Sequence, residues 1–244
     1  MTRIYFSGAL AAGSEIRLAR AQAHHIVRVL RMKAGAAVTL FNGDGAEYAG
    51  VITRVADGAV TLRIADARAA GRESPLELTL AQGISRGERM DYTVQKAVEL
   101  GVTRIEPVVT RRGVVRLDAA RARHKQAHWQ AVAIAACEQC GRSRVPEIAP
   151  VRLFDDWLAQ WRERSGGTPG VLLDPEATRR LADLPRPAGV LTLLAGPEGG
   201  YADEERRAAL EAGYAGVRLG PRLLRTETAA LAALAAMQAL WGDF

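Results

Sequence analysis

Arg222 and Arg225 are cations in an otherwise apolar stretch, Leu219-Gly-Pro-Arg-Leu-Leu-Arg-Thr-Glu-Thr228. The stretch follows a short apolar run and opens a helix pattern. Open α/β sheets bind their ligands at such strand ends. Leu219, Leu223 and Leu224 can wall an apolar slot, while Gly220 and the loop amides can read polar edges. Arg225 and Glu227 are a candidate cation and carboxylate for a site, with a helix-start ion pair as the alternative. A second segment, Leu194-Ala-Gly-Pro-Glu-Gly-Gly200, is again a strand running into a turn. Gly196, Gly199 and Gly200, flanking Pro197 and Glu198, let backbone amides approach a ligand closely. Asp203, Glu204 and Glu205 follow in the first turn of a helix, where acids complement the helix dipole and disfavour a phosphate. A ligand without phosphate suits this turn. A third segment, Glu138-Gln-Cys-Gly-Arg-Ser-Arg144, offers two arginines and an amide that could contact RNA.

Other chemistries lack their residues. The chain has no G-x-x-x-x-G-K-[ST] phosphate loop, no G-x-G-x-x-G after a strand and no G-x-S-x-G elbow. Cys137 and Cys140 have C-x-x-C spacing, but no second Cys or His pair completes a zinc site. They fall inside a helix pattern rather than at the helix start a reactive thiol needs, so they read as structural. His24 and His25 are adjacent and point about 100° apart on a helix, too divergent to share an ion. No metal is expected.

Two kinds of pattern position these residues. Over the first 70 residues, β-prone runs at Val38–Phe41, Glu47–Thr53 and Val60–Ile64 surround Asn42-Gly-Asp-Gly45, the turn chemistry of hairpins in a small barrel. A helical piece, Ala21–Leu30, precedes them. Residues Asp66–Ser74 are polar and contain Gly71, which predicts a linker ended by Pro75. Strands then alternate with helices. Strands are expected at Leu76–Ile84, Arg104–Thr110, Val171–Leu173, Val190–Ala195 and Val217–Leu219. Helices are expected at Glu88–Leu100, Leu117–Cys140, Ala202–Ala212 and Thr226–Trp241. The alternation, with nearly continuous apolar strands, predicts an α/β fold with a parallel sheet covered on both faces.

The 244 residues are 48% apolar and 25% charged, ordinary for a globular chain and unlike a disordered one. No stretch approaches the roughly 20 apolar residues of a membrane helix, and the N-terminus lacks the pattern of a signal peptide. A cytoplasmic protein is expected. Lys and Arg outnumber Asp and Glu by 33 to 27, a net charge of +6. That permits a nucleic-acid partner without establishing one. All the basic residues but Lys33, Lys96 and Lys125 are Arg, the side chain suited to phosphate oxygens and bases, or else a sign of GC-rich coding.

Several motifs in order resemble the RsmE family: Arg3-Ile-Tyr, His25-Ile-Val-Arg-Val-Leu-Arg31, Gln82-Gly-Ile-Ser-Arg-Gly-Glu-Arg-Met90, Gln95-Lys-Ala-Val-Glu-Leu-Gly101, Ala136-Cys-Glu-Gln-Cys-Gly-Arg142, Gly196-Pro-Glu-Gly-Gly200 and Leu219–Thr228. These are bacterial SPOUT-class methyltransferases that methylate N3 of a uridine in 16S ribosomal RNA. The resemblance spans essentially the whole chain. Residues 152–168 match little and read as a variable surface region. The resemblance implies a PUA-like β-barrel RNA-binding domain over residues 1–72 and a SPOUT domain with a trefoil knot over 73–244. It implies a homodimer acting on 16S rRNA of the small ribosomal subunit, with S-adenosylmethionine held by Leu172, Leu173, Gly196–Gly200, Leu219, Gly220, Leu223, Leu224, Arg225 and Thr226.

Methylating uracil N3 requires loss of a weakly acidic proton, so a base or a cation near O2 and O4 would lower the barrier. Arg225 is the candidate for stabilising the uracil anion, and Glu227 for orienting Arg225 or accepting the proton. Arg86 and Arg142 are candidates for RNA phosphates or the target base. Arg3, Arg28 and Arg31 are candidates for backbone contacts from the barrel. The competing readings are an RNA-binding module without catalysis, a nucleotide-using α/β enzyme, and a SPOUT enzyme acting on another RNA such as tRNA. The glycine loops oppose the first, and the missing phosphate loops oppose the second.

Overall fold

The computed structural model describes residues 2–56, 58–113, 117–166, 168 and 170–244. The chain forms two compact units, Met1–Glu73 with Cys137–Val145, and Ser74–Ala136 with Pro146–Phe244.

The first unit contains β1 (Arg3–Tyr5), β2 (Glu15–Arg17), α1 (Arg20–His24), β3 (Ala37–Phe41), β4 (Ala46–Ala56) and β5 (Ala59–Ala69), in the sheet order β1-β3-β4-β5-β2. β3 and β4 are antiparallel, and the turn between them sets Gly43 at φ +98° and Gly45 at φ +96°, where a side chain would be strained. Alternate strand residues Val38, Leu40, Ile52, Leu62 and Ile64 pack with Ile26 into one core. α1 is shorter than expected and continues as a π turn over His25–Val29. Residues 66–69 are not a linker. They extend β5, with Ala69 opposite Ala46 and Ala67 opposite Tyr48. Their side chains are all exposed, so this stretch lacks the alternation that marks a half-buried strand; main-chain pairing makes it one, joined by the Arg68 guanidinium on Glu47 of β4 at 2.8 and 3.0 Å. The returning segment is fastened by charge. Glu73 accepts from the Arg142 guanidinium at 2.7 and 2.9 Å and from the amides of Ser143 and Arg144, and Glu138 accepts from the Tyr5 amide at 2.9 Å.

The second unit runs β6 (Leu78–Gly83), α2 (Glu88–Glu99), β7 (Arg104–Val109), α3 (Ala119–Cys140, whose last turn belongs to the first unit), β8 (Glu147–Ile148), β9 (Arg152–Leu153), α4 (Phe154–Arg164), β10 (Val171–Leu173), β11 (Leu191–Ala195), α5 (Asp203–Glu211), β12 (Ala215–Val217) and α6 (Thr226–Trp241). Its strands are all parallel, in the order β12-β10-β11-β6-β7-β8, with β9 also on β7. Every residue of β6 and β11 is buried, as in a sheet covered on both faces.

Within residues 152–168, the segment expected to be a variable surface region, α4 is instead packed into the core. α4 buries Phe154, Trp157, Leu158 and Trp161, one helical face at i, i+3, i+4 and i+7, against Leu172, Leu194, Ala209 and Tyr214. Both indoles find partners. Trp157 Nε1 donates to Glu106 at 2.6 Å and Trp161 Nε1 to Thr192 Oγ1 at 3.1 Å. Among the described residues no helix is long and apolar enough to cross a membrane.

Candidate active site

Strands β10, β11 and β12 are neighbours, and their carboxyl ends open onto one cavity of about 750 Å³. Leu172, Leu173, Gly196, Pro197, Glu198, Gly199, Gly200, Leu219, Gly220, Leu223, Leu224, Arg225, Thr226 and Glu227 all line it. Residues up to 55 positions apart thus meet because the parallel crossovers return each strand in the same direction.

The turn after β11 is closed by the Gly200 amide on the Pro197 carbonyl at 2.9 Å, with Gly200 at φ +66°. A Cβ on Gly199 would lie 2.6 Å from the Arg112 carbonyl oxygen, so backbone approach requires glycine there. The Thr226 hydroxyl donates to the Gly196 carbonyl, joining the two loops. Glu198 accepts from the Arg86 amide at 3.0 Å and from Arg89 at 2.9 Å. Burial opposes its ionisation. The amides of Glu198 itself and Arg86, with Arg89, outweigh that and hold the carboxyl below its ordinary range.

Arg225 caps α6 with extended backbone, and its carbonyl accepts from the Ala229 amide at 2.7 Å. Its guanidinium is exposed and pairs with no carboxylate among the described residues. The helix-start ion pair with Glu227 is therefore not formed. Glu227 Oε2 is buried without a hydrogen-bond partner among the described residues. A free cation and an unpaired carboxylate oxygen stand in the lining of one pocket.

Sequence reasoning stopped one residue short at Leu173. Asp174, 6% exposed, also lines the pocket and holds Arg206 at 2.7 Å, with Glu176 on the same guanidinium at 3.0 Å. An acid at the carboxyl end of a predicted strand was the available signal. Tyr201 lines the pocket too, and its buried hydroxyl is pushed well above the usual phenol range by burial.

The arginines proposed for RNA separate into two groups. Arg28, Arg31 and Arg86 are exposed. Arg3 and Arg142 are internal struts instead, which corrects their assignment. Arg3 pairs with Glu47, reaches the Arg142 carbonyl at 3.1 Å and Ser143 Oγ at 3.2 Å, and lies 4.9 Å over the Phe41 ring. Arg142 is 5% exposed, in a forked pair with Glu73. A guanidinium this buried must be paired: both terminal nitrogens of Arg3 and the Nε and a terminal nitrogen of Arg142 bond inside the protein, while Arg3 Nε is buried without a partner among the described residues. Cys137 is buried and its thiol pushed up to about 12, chiefly by burial, which makes it inert rather than redox-active. No group of His, Cys, Asp or Glu among the described residues could hold a metal ion.

A parallel sheet with a glycine-turn pocket at its strand ends, following a small β domain, defines a class. The RNA methyltransferase domain family model matches residues 72–238, and the RNA methyltransferase PUA domain model matches residues 18–65. The chain is 33% identical over 241 residues to a ribosomal RNA small subunit methyltransferase E of Buchnera aphidicola, covering 99% of this chain and 97% of that one. It is 31% identical to the protein of that name from Bacillus subtilis, covering 88% and 86%. A crystal structure of a ribosomal RNA small subunit methyltransferase E from Neisseria gonorrhoeae, bound to S-adenosylmethionine, is 39% identical and superposes with a TM-score of 0.92 over 100% of this chain and 99% of that one. The chain belongs to the ribosomal RNA small subunit methyltransferase E family, the family that the sequence motifs resemble.

Proposed function

We propose that this chain transfers the methyl group of S-adenosylmethionine to N3 of a uridine in the 16S rRNA of the small ribosomal subunit. The observation that carries the reading is the Arg225 guanidinium, without a carboxylate partner among the described residues, in the lining of a glycine-turned pocket. The pocket fits the donor. Its volume is that of a small-molecule site, and apolar Leu172, Leu173 and Leu219 alternate with backbone amides. Asp203, Glu204 and Glu205 at the start of α5 disfavour a phosphate, which the donor lacks.

When bound, S-adenosylmethionine supplies an electrophilic methyl on a sulfonium, open to in-line displacement. Arg225 stabilises the negative charge that spreads to uracil O2 and O4 as N3 loses its proton. The Glu227 oxygen that has no partner among the described residues accepts that proton. The uridine leaves its stack to reach the pocket. Exposed Arg86, Arg28 and Arg31 contact RNA phosphates. In this reading residues 1–72 bind RNA and residues 73–244 carry the transfer in a knotted fold, in the cytoplasm where ribosomes are assembled. The working form is a homodimer. Leu223, 83% exposed in a pocket-lining loop, is an apolar side chain that a second copy would cover.

Calorimetric titration with S-adenosylmethionine, and separately with ATP and NAD, tests the pocket, with binding of the methyl donor alone expected. Arg225→Ala abolishes transfer while keeping donor affinity. Undiminished turnover in that variant sinks the assignment.

A further inference from the structure

We infer that Gln82 is a positioning residue for this transfer, the latch that holds the donor turn and the arginine-bearing helix in fixed register. The inference rests on the proposed function. Gln82 is the penultimate residue of β6, is fully buried, and is not itself part of the pocket lining. Its Nε2 donates to the Gly83 carbonyl at 3.0 Å, to Thr226 Oγ1 at 3.1 Å and, more weakly, to the Gly196 carbonyl at 3.4 Å. The Thr226 hydroxyl accepts that bond and donates its own proton to the same Gly196 carbonyl. One amide thus ties the first residue of the donor turn to the first residue of α6. Arg225 is the next residue back, so fixing Thr226 fixes where the guanidinium starts.

The energetics point the same way. Gln82 Oε1 is buried with no partner among the described residues, and an unsatisfied buried acceptor is a cost to stability. Methionine fills a similar volume without that cost. What the amide provides and methionine cannot is the pair of N–H donors, hence the register between the donor turn and the loop that carries Arg225. A shift of about 1 Å between reacting groups can slow a reaction about a hundredfold.

The test uses the full chain, S-adenosylmethionine, and small ribosomal subunits lacking the modification, with the variants Gln82→Met, Thr226→Val and Thr226→Ser. Gln82→Met should weaken donor binding about tenfold, the loss of one hydrogen bond. It should lower kcat at saturating donor and RNA about a hundredfold, with KM for the subunit unmoved and the melting temperature equal to wild type or higher. Thr226→Val should reproduce these losses, and Thr226→Ser, which keeps the hydroxyl, should restore most of the activity. Wild-type donor affinity and kcat in Gln82→Met would overturn the latch. So would equal impairment of the serine and valine variants, or a loss that only follows the folded fraction. A wild-type chain that transfers no methyl overturns the proposed function and the latch together, whereas active wild type with equally active variants overturns the latch alone.

Discussion

Replacing Gly83 by alanine probes the donor turn with a single methyl group. Gly83 is the last residue of β6 and has no left-handed φ, so alanine meets no backbone strain. Space is the obstacle. A Cβ there would lie 2.5 Å from Pro197 N and 2.9 Å from the Gly196 carbonyl carbon, where ordinary contact begins at 3.4 Å. Pro197 Cδ stands closer still, so the turn must retreat by at least about 0.9 Å, the difference between 3.4 and 2.5. Two of the three obstructing atoms are backbone and the third, Pro197 Cδ, belongs to a rigid ring, in a turn closed by Gly200 on Pro197 and tied to Thr226, so no flexible side chain can absorb the shift. Overpacking of this kind costs about 1–3 kcal/mol. A hydrogen bond of about 2.9 Å stretched by that retreat no longer qualifies as one. Losing one or two such bonds at about 1 kcal/mol each weakens donor binding roughly 5- to 30-fold. Calorimetric titration of Gly83→Ala with S-adenosylmethionine, alongside a thermal melt, reads both quantities. An affinity within a factor of about two of wild type, with an unchanged melt, would refute the argument that this contact sets the turn.

Two further predictions concern titratable groups away from the pocket. Burial opposes the charge on Glu106, but Arg164, Trp157 and Arg104 outweigh it and hold the carboxyl below its ordinary value of 4.5. The unfolded state then binds more protons than the native state in this range. The stabilisation is therefore complete above pH 4.5 and is lost as pH falls through the native pKa. Glu106→Gln should lose about 1–3 kcal/mol at pH 7, since Arg164 and Arg104 stay partly solvated, and show a shallower decline below pH 4.5 in urea unfolding. An acid slope equal to wild type contradicts the assignment. With its thiol pushed up to about 12 by burial, Cys137 should resist alkylation in the native protein at pH 8 and react in urea. Mass spectrometry after iodoacetamide treatment reads this, and native labelling of Cys137 at its denatured rate would count against it.

Much of the site can be read along the chain because its parts are local. A strand followed by Gly196–Gly200, and another followed by Leu219–Thr226, each announce themselves as a buried run meeting glycine and a helix start. The acids at Asp203–Glu205 narrow the ligand in the same local way. Sequence alone also determined the type of the long periodic elements: α2, α3, α5 and α6 lie within a residue or two of their expected limits. Where the local pattern weakens, so does the reading. The end of β5 carries only exposed side chains, so only its main-chain partner in β4 and the Arg68–Glu47 pair across the two strands make it a strand. α4 does have helical spacing, but its surroundings of Arg, Asp and Glu hide four buried side chains whose partners lie on other elements.

Charge is where tertiary structure decided most. In the sequence, Arg3, Arg142 and Arg225 are equivalent guanidinium groups. Folding brings Glu47 to Arg3 and Glu73 to Arg142, from 44 and 69 residues away, and leaves Arg225 without a carboxylate among the described residues. Gln82 is the same case among neutral groups, since its partners at Gly196 and Thr226 lie 114 and 144 residues along the chain. Residue type and short-range spacing fix what a side chain can do. Whether it is spent holding the fold or left free for a substrate depends on desolvation and on partners distant in sequence, and only the folded chain supplies those.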